Sequence, residues 1–318
     1  AGVVLMALAR SGGVSEAVTA GVILSGIYFG DRGAPTSSCA SLVAALTETD
    51  LYGNVRRMFQ TAALPYALCL IAYTVLSFRN PIVTVDETML DALAESFVIS
   101  PWALVPALIM LILPLIRCAM AVSAAAAFVI TVTVQGGSVA DALRIMVVGY
   151  HPTEGLLASV VSGGGLVSML TPFLMIPLAA LYTGILEGTG ALTQAQSVLE
   201  RSAERIGRFP TMILLSLLAA MVLCNQTIVV MMEHQLIGAV YAKDGAEHEE
   251  LAMDIANSGV TIAGLIPWCI ACAVPLSMLG VGVEALPYAC LLYLIPLCYL
   301  FTKRFFFPAK SKGSETPV

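Results

Sequence analysis

Asp31 is the residue whose chemistry stands out first. It lies in residues 28–42, YFGDRGAPTSSCASL, a polar interruption in a chain that is apolar for most of its length. A carboxylate near the centre of a membrane helix costs about 2.5 to 3.5 kcal/mol on insertion scales, so it is kept there for function and needs a partner. Thr36, Ser37 and Ser38 follow with three hydroxyls, and Pro35 breaks a helix and leaves main-chain carbonyls without donors. Together these are hard oxygen ligands, suited to Na⁺, with Asp31 as the metal-binding carboxylate. A bland reading stays open beside this one, in which Asp31 is a solvated acid paired with Arg32 and the hydroxyls cap a helix. Two further polar interruptions have the same character: Asn225, Gln226 and Thr227 in the middle of residues 210–240, and Asn257, Ser258 and Thr261 within residues 254–282. Their alternatives are turn chemistry and helix capping. Glu233 and His234 either relay protons or snorkel from a helix end.

The elements that must position these residues follow from composition. The chain has 318 residues, 58% hydrophobic and 11% charged, against roughly a quarter charged in an ordinary soluble domain. That makes it an integral membrane protein. Apolar runs near twenty residues recur at 58–78, 101–116, 161–186, 210–232 and 285–301, enough for helices across about 30 Å of hydrocarbon. A transmembrane barrel would instead show alternating segments of about ten residues. The net charge of −6 says little, and nucleic-acid binding has no support. The eight cysteines sit mostly in apolar runs and read as small hydrophobes, including Cys269 and Cys272 in WCIAC. VSGGGL at 161–166 lacks the Lys and Ser/Thr of a phosphate loop.

Placing the basic loops in the cytoplasm orients the spans. Arg56, Arg57, Arg117, the loop with Arg201, Arg205 and Arg208, and the tail at 303–318 all fall inside without conflict. Residues 210–240 then begin and end on one side, as a re-entrant hairpin whose arms of about fourteen residues reach roughly 21 Å. Its polar tip must be enclosed by protein or line a wet cavity. Gly259, Gly264 and Pro267 break the helix at 254–282, and GDRGAPTSS breaks an earlier one of opposite direction. Two such helices, each followed by a full span, are the pattern of inverted repeats with a site where the breaks meet. The expected organisation is residues 1–80 as the end of a first repeat (hairpin remnant, broken helix, span), 81–97 as an extracytoplasmic linker, and 98–302 as the second repeat. By that symmetry, on the order of 130 residues that would precede Ala1 are absent.

These motifs carry a resemblance. ILSGIYFGDRGAPTSS, TETDLYGNVRRM, GGGLVSML, GILEGTGAL, CNQ and DIANSGVTIAGLIPWC resemble, in order and spacing, the NhaC-type Na⁺/H⁺ antiporters of the ion transporter superfamily. The resemblance implies an all-α polytopic membrane protein, an inverted-repeat secondary transporter with broken helices and a re-entrant hairpin. It implies Na⁺/H⁺ antiport, with Na⁺- or H⁺-coupled exchange of a small organic acid or amino acid as the competing function, and a non-transporting scaffold behind both. The departures lie at the motif positions: Ser38 stands where the family has a second Asp, Asn225 where it has the hairpin-tip Asp, and Ala263, Gly264 and Cys269 replace further polar or proline positions. Each removes a charge, a ligand oxygen or a helix break, while proton antiport needs a titratable group that competes with the cation. No enzyme is expected, because no nucleophile is paired with a base on the membrane segments. No cofactor is expected beyond transported Na⁺ and H⁺. The expected partners are the lipid bilayer, a small ion or small-molecule substrate and, as one assembly to test, a homodimer. The expected location is the cell (inner) membrane, multi-pass, with a cytoplasmic C-terminus.

Overall fold

The computed structural model describes residues 2–81, 101–115, 120–135, 138–151, 165–168, 191–243 and 247–307, with isolated residues between 170 and 188. The described residues contain helices and no strand. In order the helices are α1 (Gly2–Ser11), α2 (Glu16–Gly33), α3 (Ser38–Leu46), α4 (Leu51–Arg79), α5 (Val105–Leu115), α6 (Met120–Gln135), α7 (Val139–Val148), α8 (Gly165–Ser168), α9 (Ala191–Ile206), α10 (Arg208–Leu223), α11 (Gln226–Lys243), α12 (His248–Asn257), α13 (Gly259–Ile262), α14 (Ile270–Leu279) and α15 (Cys290–Phe306). Among the described residues α4 is itself long and apolar enough to cross a membrane, and the run from α12 to α14, bent by 51°, would make a second span. The expected span at 161–186 and the linker at 81–97 fall largely outside the described residues.

The chain divides into two compact units. The first comprises Ala1–Leu24, Leu76–Leu181 and Ala273–Tyr288. In it α5 and α6 pack together, and Arg10 donates to the Leu279 carbonyl at 3.0 Å while pairing with Glu16 at 2.8 Å. Gly21 lies so close to Ala285 and Tyr288 that no Cβ fits there.

The second unit comprises Ser25–Val75, Tyr182–Cys272 and Ala289–Val318, and holds the residues singled out above. The buried core includes Met58, Met212, Ile237, Met253, Ile255, Leu292 and Ile295. α15 begins after Ala289, which has no side-chain oxygen to cap it. Its free amides are satisfied from neighbouring helices: Cys290 N–H donates to the Tyr73 hydroxyl at 3.1 Å and Leu291 N–H to Ser25 Oγ at 3.4 Å.

Several boundaries differ from the sequence expectation. The first break is shorter, because α2 continues through Asp31 and Arg32 and only residues 34–37 interrupt the helical path. The loop with Arg201, Arg205 and Arg208 contains helix α9. The hairpin arms have 16 and 18 residues, about 24 and 27 Å at 1.5 Å per residue, so each nearly matches the hydrocarbon thickness. The second broken helix starts at His248, and the last helix runs on to Phe306, placing Lys303 inside it.

Candidate functional site

The hairpin tip is built by two capping residues. Cys224 closes α10 in the left-handed conformation (φ 54°, ψ 15°). Asn225 opens α11, its Oδ1 accepting from Thr227 N–H at 3.0 Å and Ile228 N–H at 3.4 Å, which satisfies first-turn donors. The carbonyls left over at the end of α10 are taken by the second break. Trp268 Nε1–H donates to the Met221 carbonyl at 2.8 Å and Ile270 N–H to the Cys224 carbonyl at 2.9 Å. Ile266 is extended (φ −87°, ψ 114°), as the residue before a proline must be. The tip of the hairpin is therefore docked on the break at 266–269.

The first break reaches the same place. Tyr28 donates to the Ala271 carbonyl at 2.8 Å, and its ring covers Gly264 so closely that a Cβ there would overlap it. Asp31, on the last turn of α2, accepts from Ser37 Oγ at 2.8 Å on one oxygen and from Gln226 Nε2 at 2.9 Å on the other. Gln226 Nε2 also donates to the Val260 carbonyl at 2.9 Å. Ser37 at the same time caps α3, accepting from Cys39 N–H at 3.1 Å and Ala40 N–H at 3.2 Å. Break one, hairpin tip and break two thus meet through one carboxylate, one hydroxyl, one amide and one carbonyl. Asp31 sits between the N-termini of α3 and α11, whose partial positive charge favours an anion there. Arg32 is turned away and buried, donating to the Met58 carbonyl and, at 3.4 Å, to Thr61.

The other residues expected in the site stand elsewhere. Ser38 and Thr227 are exposed and Thr36 half-buried, and no hydrogen bond ties their side chains to the cluster. Ser258 Oγ donates to the Asp254 carbonyl at 2.6 Å, and Thr261 Oγ1 to the Ser258 carbonyl at 3.1 Å, so both serve their own helix. Asn257 is fully buried, and neither end of its amide has a partner. Cys269 and Cys272 are buried free thiols.

One feature was left open by the sequence reading and another escaped it. Glu233 is fully buried and bonded to Ser216, far from the solvated helix end its position suggested. A compact ion cluster joins Lys303 to Asp254 and, at 2.8 Å, to Glu250, which Arg208 also pairs at 2.9 Å. Tyr241 donates to Asp254, and the Arg208 guanidinium lies 5.1 Å over the Tyr241 ring. The signal available for that cluster was the run of charges at both ends of the hairpin and last helix, which positive-inside reasoning assigns to solvent.

Comparison with known proteins gives a consistent picture. The chain is 24% identical over 279 residues to the malate-2H(+)/Na(+)-lactate antiporter of Bacillus subtilis, covering 84% of this chain and 60% of that protein. It is 24% identical over 306 residues to the Na(+)/H(+) antiporter NhaC of Alkalihalophilus pseudofirmus, covering 93% of this chain and 66% of that protein. It is also 25% identical over 304 residues to the arginine/ornithine antiporter ArcD of Halobacterium salinarum, covering 90% of this chain and 62% of that protein. The chain spans about two thirds of the length of these relatives. No solved structure matches it significantly. The profile of the Na⁺/H⁺ antiporter family matches residues 26–303, a range that contains both breaks, the hairpin and the Asp31–Gln226 cluster; the chain belongs to that family of integral membrane proteins.

Proposed function

We propose that the chain is the ion- and substrate-handling part of a secondary active transporter, Na⁺/H⁺ antiporter-like, with its site where the two broken helices cross at the hairpin tip. The observation that carries this reading is the placement of Asp31 against Ser37 and Gln226, with Gln226 also on the Val260 carbonyl. A carboxylate, a hydroxyl and a freed main-chain carbonyl are the oxygen donors a small hard cation takes. The transporter is arranged as inverted repeats, with Arg56, Arg57, Arg117, the Arg201 to Arg208 loop and the C-terminus in the cytoplasm and Asp31, Ser37 and Gln226 at the repeat interface. Members of the antiporter family to which the chain belongs are transporters, so it moves its substrate unchanged.

A second reading has its own support. The two helix N-termini that flank Asp31 suit an anionic group, and relatives of this chain are named for exchange of malate, lactate, arginine and ornithine. On this reading the site takes the carboxylate of a small organic acid or amino acid with the cation beside it.

The test is the full-length protein in proteoliposomes loaded with a pH-sensitive dye. A Na⁺ jump moves protons in the antiport reading, and Asp31→Asn reduces that flux at least tenfold. Absence of Na⁺-dependent proton movement sinks antiport. Counterflow of labelled malate or arginine carries the second reading, and indifference of every flux to Asp31→Asn leaves the scaffold.

A further inference from the structure

Glu233 has surroundings that fit one use. It lies on α11 seven residues after Gln226, two full turns and about 10.5 Å along the axis, on the same face of the helix. Its side chain is fully buried. One oxygen meets Ser216 Oγ; both crowd Gly259, where a Cβ would overlap them and whose backbone N–H faces the carboxyl, and the second oxygen makes no hydrogen bond of good geometry. Gly259 precedes Val260, whose carbonyl holds Gln226, so neighbouring residues of the second break meet Glu233 and the Asp31–Gln226 cluster respectively.

The charges around Glu233 are as informative as its burial. From α3 the titratable group within reach is the Cys39 thiol, which lies in the electrostatic field of both Asp31 and Glu233. From α12, Glu250 and Asp254 are turned to Arg208 and Lys303, from α10 the polar neighbour is Ser216, and on α9, which also packs against α11, Arg201, Glu204 and Arg205 are exposed and Glu200 is half-buried. His234, next in the chain, lines a separate cavity of about 640 Å³ with Glu48, Glu247 and His248. No Lys, Arg or His of the described residues pairs with Glu233. A lone buried charge is far more costly than a paired one, so this carboxyl needs a proton or a cation to balance it. The single Ser216 hydroxyl proton has two acceptors within reach, the Met212 carbonyl at 2.7 Å and Glu233, and a proton on Glu233 would let both contacts be made at once.

We propose that Glu233 is a proton-binding site of the transport cycle, carrying H⁺ while the Asp31 site is empty of cation and releasing it to water when the site fills. The inference rests on the cation reading above. Coupling follows from charge: a cation about 10 Å away, at an effective dielectric constant near 20, weakens proton binding on the order of tenfold. The released proton leaves as H⁺, Glu233 becomes a carboxylate, and the incoming cation balances its charge.

The experiment compares wild type, Glu233→Gln, Glu233→Asp and Asp31→Asn of the full-length protein, using ²²Na⁺ counterflow, Na⁺-driven proton flux and infrared difference spectra. Glu233→Gln keeps counterflow within about threefold, loses proton flux at least tenfold and loses the pH dependence of counterflow, while Glu233→Asp retains part of the proton flux. Asp31→Asn loses both. The wild type shows a protonated-carboxyl C=O band near neutral pH that Na⁺ removes and that Glu233→Gln lacks. If wild type shows no counterflow, the cation reading fails; the band, followed with pH steps alone, then still decides whether Glu233 holds a proton. Proton flux unchanged in Glu233→Gln, or a carboxyl band identical in wild type and variant, overturns the proposal. Should Glu233→Gln not fold, retained proton flux at an unshifted pH profile in Glu233→Asp, together with no Na⁺-sensitive carboxyl band in wild type, overturns it equally.

Discussion

Asp31 works through partners that lie six residues and nearly two hundred residues away in the chain, and their bonds differ in what they contribute. Ser37 Oγ is committed to capping α3 as well as to Asp31, so its loss mixes stability with function. Gln226 makes no cap and bridges Asp31 to the Val260 carbonyl, so it is the cleaner probe. A hydrogen bond to a charged group contributes about 1.5 to 3 kcal/mol, hence Gln226→Leu should raise the Na⁺ concentration for half-maximal flux roughly ten- to a hundredfold. Its melting temperature should move little, and a dose–response in proteoliposomes with a melt in detergent checks both. Asp31, Ser37 and Gln226 were legible as polar residues where an apolar helix was due. Glu233 was visible as either a proton relay or a helix-end group, and the choice stayed open because burial is a property of the packed hairpin and not of position along one helix.

At the scale of elements, the hairpin α10–α11 depends on a two-residue turn. Cys224 adopts φ 54° without being glycine, a conformation that costs an L-residue roughly 1 kcal/mol or more. Glycine removes that cost and returns part of it as unfolded-state entropy. Cys224→Gly should therefore stabilise the protein by up to about 1 kcal/mol and raise the melting temperature of detergent-solubilised protein; a fall would mean the thiol contributes packing that outweighs the strain. The hairpin and both breaks were foreseen from Pro, Gly and polar interruptions. Their boundaries were not: α2 continues through the polar GDRG and α9 forms within a charged loop. Polarity marks where a chain meets other groups, while helix continuity is set by backbone hydrogen bonds, and the two need not end together.

At the scale of the molecule, the second unit is fastened by the Lys303 cluster, which joins α15 to α12 and, through Glu250 and Arg208, to the start of α10. Lys303 is 15% exposed, Glu250 8% and Asp254 fully buried. Removing one partner of such a set leaves a buried charge uncompensated, at a cost of about 3 to 5 kcal/mol. Lys303→Met should lower expression and thermal stability by that amount. Combining it with Asp254→Asn should recover part of the loss, and a double-mutant cycle on melting curves measures how much. Equal losses in single and double variants would show that Lys303 acts on other groups.

Composition and apolar run length alone determined that the chain is helical and membrane-embedded, because unpaired backbone polar groups are too costly in hydrocarbon for anything but helices and closed barrels. Pro, Gly and hydroxyl patterning determined that two helices are interrupted and that a hairpin stands between them. Tertiary structure decided which of ten polar candidates meet. It brought Asp31, Ser37 and Gln226 together with the Val260 carbonyl, turned Ser258 and Thr261 onto their own helix, and buried Glu233. A side chain's partner is fixed by how helices rotate and dock against one another, and that is a sum over contacts between residues far apart in the chain.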